Sequence, residues 1–263
     1  MNNKPDSSEF GLFGLTMLPE IGSVFFKPEM ESTNTEALEM GKVGKDELPA
    51  LVLTDSQTNG RGRDDNQWES ASGSLTFTLA LDRRNGPQVS PMLLSLSAGL
   101  SIHNALAELA PSLDVKLKWP NDVYVGDKKI AGVLIESNKK VTAVGIGINV
   151  NNSKVPKLGT TLNTETTKEF ELQQVLVAVV SHFFNALEAS LNSPEAMVES
   201  AQTKMLHYQK SVSIFTENRT VTGINTGLGP AGELLLKTDS ENGDDSGLQP
   251  ELKIVSGKNL KLT

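Results

Sequence analysis

The sequence contains no cysteine. That absence excludes a disulfide framework, a thiolate metal site and a cysteine nucleophile, and it fits a reducing, cytoplasmic setting. Long apolar runs are missing too: nothing comes near the roughly 18 consecutive apolar residues of a membrane span, so a soluble protein without membrane partners is expected. Phe10 to Leu18 is briefly apolar. It lacks a basic lead-in and is expected to pack against the domain rather than to act as an address. An excess of positive charge is also absent. Lys+Arg 24 against Asp+Glu 32 give a net charge of −8 and a pI near 5.0, which argues against a general nucleic-acid binder.

The chain of 263 residues, 38% hydrophobic and 21% charged, is long enough for one large domain with a satellite, or for two domains. Ser23 to Phe26, Ala50 to Thr54 and Ser74 to Leu81 have strand patterns, the last with strict alternation that predicts a half-buried strand. Thr33 with Glu36, and Thr166 with Glu169, have capping-box spacing and predict helix starts. Ser90-Pro91 places a cap and a first-turn proline before a helix that ends near Pro111. Short turns then separate strands at Val115 to Trp119, Val123 to Val125, Gly132 to Ser137 and Val141 to Val150. Short turns favour antiparallel neighbours, so the expectation is an α+β fold with a mixed, largely antiparallel sheet and helices packed on it.

Asn151 to Thr164 is polar and is read as a surface loop. A helical face at Leu172, Val175, Leu176, Val179, Phe183 and Leu187 follows, and Ser193-Pro194 opens a helix expected to reach about His207. Beyond it, five short glycine-punctuated strands from Val212 to Leu262 suggest a small barrel, with a mobile acidic hairpin at Asp239 to Gly247. The change of period puts a domain boundary at 209/210, giving a 1–209 and a 210–263 domain.

Four stretches exceed ordinary packing. Ser32-Thr33-Asn34 offers three hydrogen-bonding side chains at a helix start. Gln57-Thr58-Asn59-Gly60-Arg61-Gly62-Arg63, closed by Trp68, joins permissive glycine backbone to two guanidinium groups suited to phosphate or carboxylate oxygens. Taken alone, such a loop is an RNA-binding or merely solvated turn more often than a catalytic one. Lys118-Trp119-Pro120-Asn121-Asp122 ends a strand on which Val115, Leu117 and Trp119 share one face and Lys116 and Lys118 the other. In Gly145-Ile146-Gly147-Ile148-Asn149-Val150, alternating glycines strip one strand face of side chains, which marks close approach by a ligand or by another backbone. The histidines His103, His182 and His207 fall in predicted helices at no ligand spacing.

These blocks, with Lys129 to Glu136 (Lys-Ile-Ala-Gly-Val-Leu-Ile-Glu) between the last two, stand in the order that identifies the biotin protein ligase family, and the resemblance covers about residues 30 to 152. The C-terminal strands resemble that family's small SH3-like domain more weakly. The resemblance implies a class II synthetase-like catalytic fold. It implies an ATP-dependent biotin–[biotin carboxyl-carrier protein] ligase that makes biotinyl-5′-AMP, releases pyrophosphate, and passes biotin to a lysine of a carrier domain. ATP and Mg2+ are the implied cofactors, with the metal ligands unknown, and a homodimer is a possible assembly.

By the resemblance, Arg61, Arg63 and Lys118 offset the repulsion between carboxylate and α-phosphate. Ser32, Thr33, Asn34 and Gln57 serve the ureido end of biotin, with Gly60, Gly62, Gly132 and the Ile130 to Leu134 strand around it. Trp68 is the stacking surface for adenine, Asn121 belongs to the ATP site, and Asn149 lies near the nucleotide and its magnesium. No protein nucleophile is required, because the attacking amine belongs to the carrier. Asp64 and Asp65 depart from the family pattern and are expected to bear on loop closure by pairing with Arg63. The roughly 30 residues before the first motif are too few for a winged helix, so DNA binding is not expected. A lipoate- or octanoate-type ligase and a non-catalytic biotin-binding regulator are the alternatives.

Overall fold

The computed structural model describes residues 18–42, 47–64, 66–84, 88–216, 219–238 and 251–263. The expectations for the N-terminal apolar stretch before Leu18, for Asp65 and for the 239–247 hairpin lie outside these residues.

Seven strands, β1 (Ser23–Met30), β2 (Ala50–Gln57), β3 (Ser74–Asp82), β4 (Val115–Lys118), β5 (Asp122–Val125), β6 (Lys128–Ser137) and β7 (Val141–Asn149), form one sheet in the order β1-β2-β3-β7-β6-β5-β4. Strands β1 and β2 are parallel, since helix α1 (Thr33–Glu39) carries the chain back between them. All other neighbours are antiparallel, as short turns require. The fold is α+β with a mixed, largely antiparallel sheet.

Helices α2 (Pro91–Leu109) and α4 (Leu172–Asn192) cover one face. The Ser90 hydroxyl accepts from Leu93 N at 3.2 Å, so the cap read from Ser90-Pro91 is in place. The Ser97 and Ser190 hydroxyls meet at 2.7 Å between the two helices, each otherwise satisfied by a carbonyl of its own helix. Both helices are apolar enough over their length to resemble membrane spans by composition; here their apolar faces lie in the core with Leu75, Phe77 and Leu79. Burying a side chain such as Phe77 stabilises the fold by about 2–3 kcal/mol. Helix α1 covers part of the opposite face through a second cluster of Met30, Ala37, Ala50, Val52, Ala80, Val141 and Ala143. Strand β3 is therefore buried on both faces from Ser74 to Ala80 rather than half-buried.

After α3 (Leu162–Thr166), α4 and α5 (Pro194–Gln202), a second, five-stranded antiparallel sheet begins at Ser211. It comprises β8 (Ser211–Thr216), β9 (Arg219–Leu228), β10 (Leu234–Lys237), β11 (Glu251–Ile254) and β12 (Lys258–Leu262). Trp119, 3% exposed, donates its indole N–H to Gly232 O at 2.9 Å, and Leu228 N donates to Gln202 Oε1 at 2.8 Å. Val212, Ile214, Leu234 and Leu236 join the same apolar core as the first sheet.

Several local expectations are corrected. Neither capping box forms. Ser32, not Thr33, stands at the cap of α1 and makes no side-chain cap bond, while Thr33 turns inward to Gln57. Thr166 ends α3 with its hydroxyl on Leu162 O at 2.7 Å, and α4 starts only after Glu171. The polar 151–164 segment thus carries a short helix start. Helix α5 stops at Gln202; Met205 bridges to Leu117 along the outer side of β4, and His207 sits at φ +65° in a turn. Only His103 and His182 lie in helices.

Candidate active site

Register builds the site. Thr54, Thr76, Gly147, Gly132, Asp122 and Lys118 are successive neighbours across β2, β3, β7, β6, β5 and β4. The next row runs Val52, Thr78, Gly145, Leu134, and the one beyond it Ala50, Ala80, Ala143, Glu136. All point to the face opposite α2, since alternate residues of a strand share a face. Glycine at 132, 145 and 147 hollows that face. A Cβ at Gly145 would lie 2.3 Å from Asn34 Oδ1, and one at Gly147 would lie 2.2 Å from the Trp68 ring. The alternating glycines therefore seat one helix side chain and one loop side chain. A cavity of about 530 Å³ opens beside them.

One end of the cavity is neutral and closely wired. Thr33 N donates to Gln57 Oε1 at 2.8 Å, and the Thr33 hydroxyl donates to the same oxygen at 3.1 Å. The fully buried Thr78 hydroxyl reaches both the Thr33 hydroxyl (2.8 Å) and Asn34 Oδ1 (2.7 Å). Asn34 Nδ2 donates to Leu134 O at 3.2 Å and to Glu136 Oε2 at 2.8 Å. Both partners are pure acceptors, so the amide orientation of Asn34 is fixed and both its donors are used. What remains toward the cavity is acceptor capacity on Asn34 Oδ1 and donor capacity on Gln57 Nε2. Ser32, 2% exposed, lines the cavity with a hydroxyl that has no hydrogen-bond partner among the described residues.

The other end is cationic. Lys118 Nζ donates to Tyr124 Oη at 3.2 Å and stands 4.6 Å above that ring. Burial lowers the Lys118 pKa from the usual lysine value, and the Asp122 charge opposes the shift. Burial also raises the Tyr124 pKa, with Asp122 adding to it, which keeps the phenol protonated. Lys129 Nζ lies 2.7 Å from Asp122 Oδ1 and 6.0 Å from the Trp68 ring centroid.

The glycine-arginine loop folds as a small hairpin over this floor. Gly62 N donates to Asn66 O at 2.7 Å, Trp68 N donates to Gly60 O at 3.0 Å, and Arg61 bridges Gln67. Gly60 has no room for a side chain, because a Cβ would be 2.2 Å from Trp68 O. Arg63 Nη1 donates to Asn121 Oδ1 at 3.3 Å, and among the described residues it forms no ion pair with the exposed Asp64, which sits at φ +52°. Arg61 is differently placed: its guanidinium is taken up by Glu136 (2.9 Å) and Thr35 Oγ1 (3.0 Å).

The structure brings Ser32, Thr33, Asn34 and Gln57 to one end of the cavity, and Arg63, Trp68, Lys118 and Asn121 to the other; Arg61, Gly62 and Gly132 also line it. Gly60 and Asn149 are not in the lining: Gly60 packs within the loop against Trp68 and Gln57, and Asn149 Oδ1 accepts from Asn152 Nδ2 at 3.1 Å. Sequence reasoning assigned no role to Thr78, Asp122, Tyr124, Lys129 or Glu136. Strand alternation was the available signal, since Asp122 and Tyr124 share a face with Lys118 through the β4–β5 pairing. Gly257, Lys258 and Leu260 of the second sheet also reach the cavity, which no local pattern signalled.

Residues 27–152 match the model of the Biotin/lipoate A/B protein ligase family, which sets the class of protein that this sheet and cavity define. A biotin–[acetyl-CoA-carboxylase] ligase from Paracoccus denitrificans is 38% identical over 135 residues, 49% of this chain and 54% of that one. Biotin–protein ligase 1, chloroplastic, from Arabidopsis thaliana is 38% identical over 119 residues, 41% of this chain and 32% of that one. These matches thus span between a third and about half of the curated relatives' lengths. The solved structure of biotin protein ligase from Aquifex aeolicus in complex with biotin and ATP superimposes with a TM-score of 0.78 at 30% identity, covering 91% of this chain and 99% of that one. The chain belongs to the biotin protein ligase family.

Proposed function

We propose that this chain activates biotin with ATP to biotinyl-5′-AMP and transfers the biotinyl group to a lysine of a biotin carboxyl carrier domain. The observation that carries this reading is the polarity of one cavity: a neutral, oriented donor–acceptor set at one end and Arg63, Lys118 and Lys129 at the other. A ureido ring offers two N–H donors and one strong acceptor, which Asn34 Oδ1, the Ser32 hydroxyl and Gln57 Nε2 complement. Carboxylate attack on an α-phosphate brings two anions together, and fixed cations at that point lower the barrier most where water is excluded. Arg63 closes from the loop, and Trp68, backed by Gly147, presents a ring for adenine. Catalysis then consists of positioning and charge; in the transfer step the acceptor amine attacks the acyl carbonyl and AMP leaves.

Among the described residues no cluster of three or more carboxylate or histidine groups could hold a metal ion. A magnesium ion arriving with ATP needs only one or two protein oxygens besides phosphates and water, and Asp122 supplies a carboxylate on the cavity face; the ion would add charge at the phosphates. Asn149 lies outside the cavity lining, and its Oδ1 accepts from Asn152 while keeping a second lone pair. We read 1–209 as the catalytic domain and 210–263 as a second domain, in a cytoplasmic protein without nucleic-acid or membrane partners. A homodimer would use the outer side of β1, since β4 is bordered by Met205.

The test is biotin-dependent exchange of labelled pyrophosphate into ATP, followed by transfer to an added carrier domain. Exchange and transfer are the expected results. Exchange with lipoate and not biotin would favour the family's other activity; a dithiolane ring, however, leaves the Asn34–Gln57 set without partners. Tight biotin binding without exchange would make the chain a regulator.

A further inference from the structure

We propose that Glu136 is a positioning residue that ties biotin seating to the arginine loop, an inference resting on the biotin site proposed above. A single atom, Glu136 Oε2, accepts from Asn34 Nδ2 at 2.8 Å and from Arg61 Nη2 at 2.9 Å. The first donor belongs to the neutral end of the cavity and the second to the loop, whose Arg63 reaches Asn121 at the cationic end. Glu136 and Arg61 are each about a third exposed (31% and 34%), and an isolated pair of that kind contributes little. Asn34, however, is 3% exposed. Removing the carboxylate leaves one N–H of a buried amide without an acceptor, which is the costly case. Arg61 would be released at the same moment, keeping only Thr35. Asn34 cannot compensate by moving toward the sheet, because it already fills the space above Gly145.

Glu136→Ala and Glu136→Gln in the full chain test this. In ligand-free protein, trypsin is expected to cut after Arg61 and Arg63 about tenfold faster in the alanine variant, because local opening sets cleavage. The side-chain amide signals of Asn34 in 15N–1H spectra should shift in the same variant. Calorimetry should show biotin bound about tenfold more weakly, with the glutamine variant, which keeps an acceptor oxygen, recovering most of the loss. Arg61→Ala added to Glu136→Ala should cost far less than the sum of the two, as for groups sharing one partner. Unchanged cleavage with unchanged Asn34 signals overturns the proposal, as do losses that add in the double variant. A wild-type chain that binds no biotin overturns the proposed function instead, and cleavage and the Asn34 signals then decide the role of Glu136. If the alanine variant loses its thermal transition, the glutamine variant is held to the same readouts with an effect of about threefold.

Discussion

At one end of the cavity Asn34 and Thr33 are fixed by four protein partners, Gln57, Thr78, Leu134 and Glu136, before any ligand arrives. At the other, Lys118 rests on a tyrosine, Lys129 on an aspartate and Arg63 on one amide oxygen at 3.3 Å. A neutral ring offers weak, directional bonds, so its site must be oriented in advance to discriminate. Charge attracts over longer distances and tolerates rearrangement, so the cationic end can hold its groups on provisional partners and exchange them for phosphate. Arg61 belongs with the first end despite its sequence position, because Glu136 already neutralises it.

The largest test of this contrast is Lys118→Ala, expected to lower kcat for pyrophosphate exchange by about 100- to 1,000-fold while biotin affinity changes little. Equal losses in both would merge the two ends. The wild-type rate should also have an alkaline limb set by Lys118. Since burial lowers its pKa, the ammonium is lost as pH rises, at a pH below the ordinary lysine range, and the variant should lack that limb. Gly145→Ala should act at the opposite end: its Cβ would press on Asn34 Oδ1, and overpacking of about 1–3 kcal/mol predicts biotin binding weaker by about tenfold or more, with ATP affinity retained. Smallest is Arg63→Ala, for which loss of adenylate from the site, followed by single-turnover release, should quicken about tenfold, the low end of the scale of one charge-assisted contact. Unchanged retention would remove that side chain from closure.

The strands and α2 were legible because alternation, turn residues and the Ser90-Pro91 cap are local. The motif order exposed the site, including the stripped face at Gly145 and Gly147. The missed features depend on distant partners. Thr33 fits a capping box by spacing, yet Gln57 and Thr78 offer it buried hydrogen bonds that a solvent-side cap cannot match. Ser74 to Leu81 alternates as if half-exposed, but threonines face the cavity and α1 covers their end of the sheet. Glu136 and Lys129 stand in the sequence only as the ends of a motif block without roles of their own, until register sets them beside Asn34 and Asp122. His207 follows a helical pattern that stops once Met205 pairs with β4.

The indole of Trp119 is anchored to Gly232, 113 residues further along the chain, and Lys258 lines the cavity. During synthesis the neutral end has all its strands once β7 has left the ribosome. Trp119, next to Lys118, gains its anchor only once the chain has been made as far as Gly232, so the cationic end is completed later in synthesis than the neutral one.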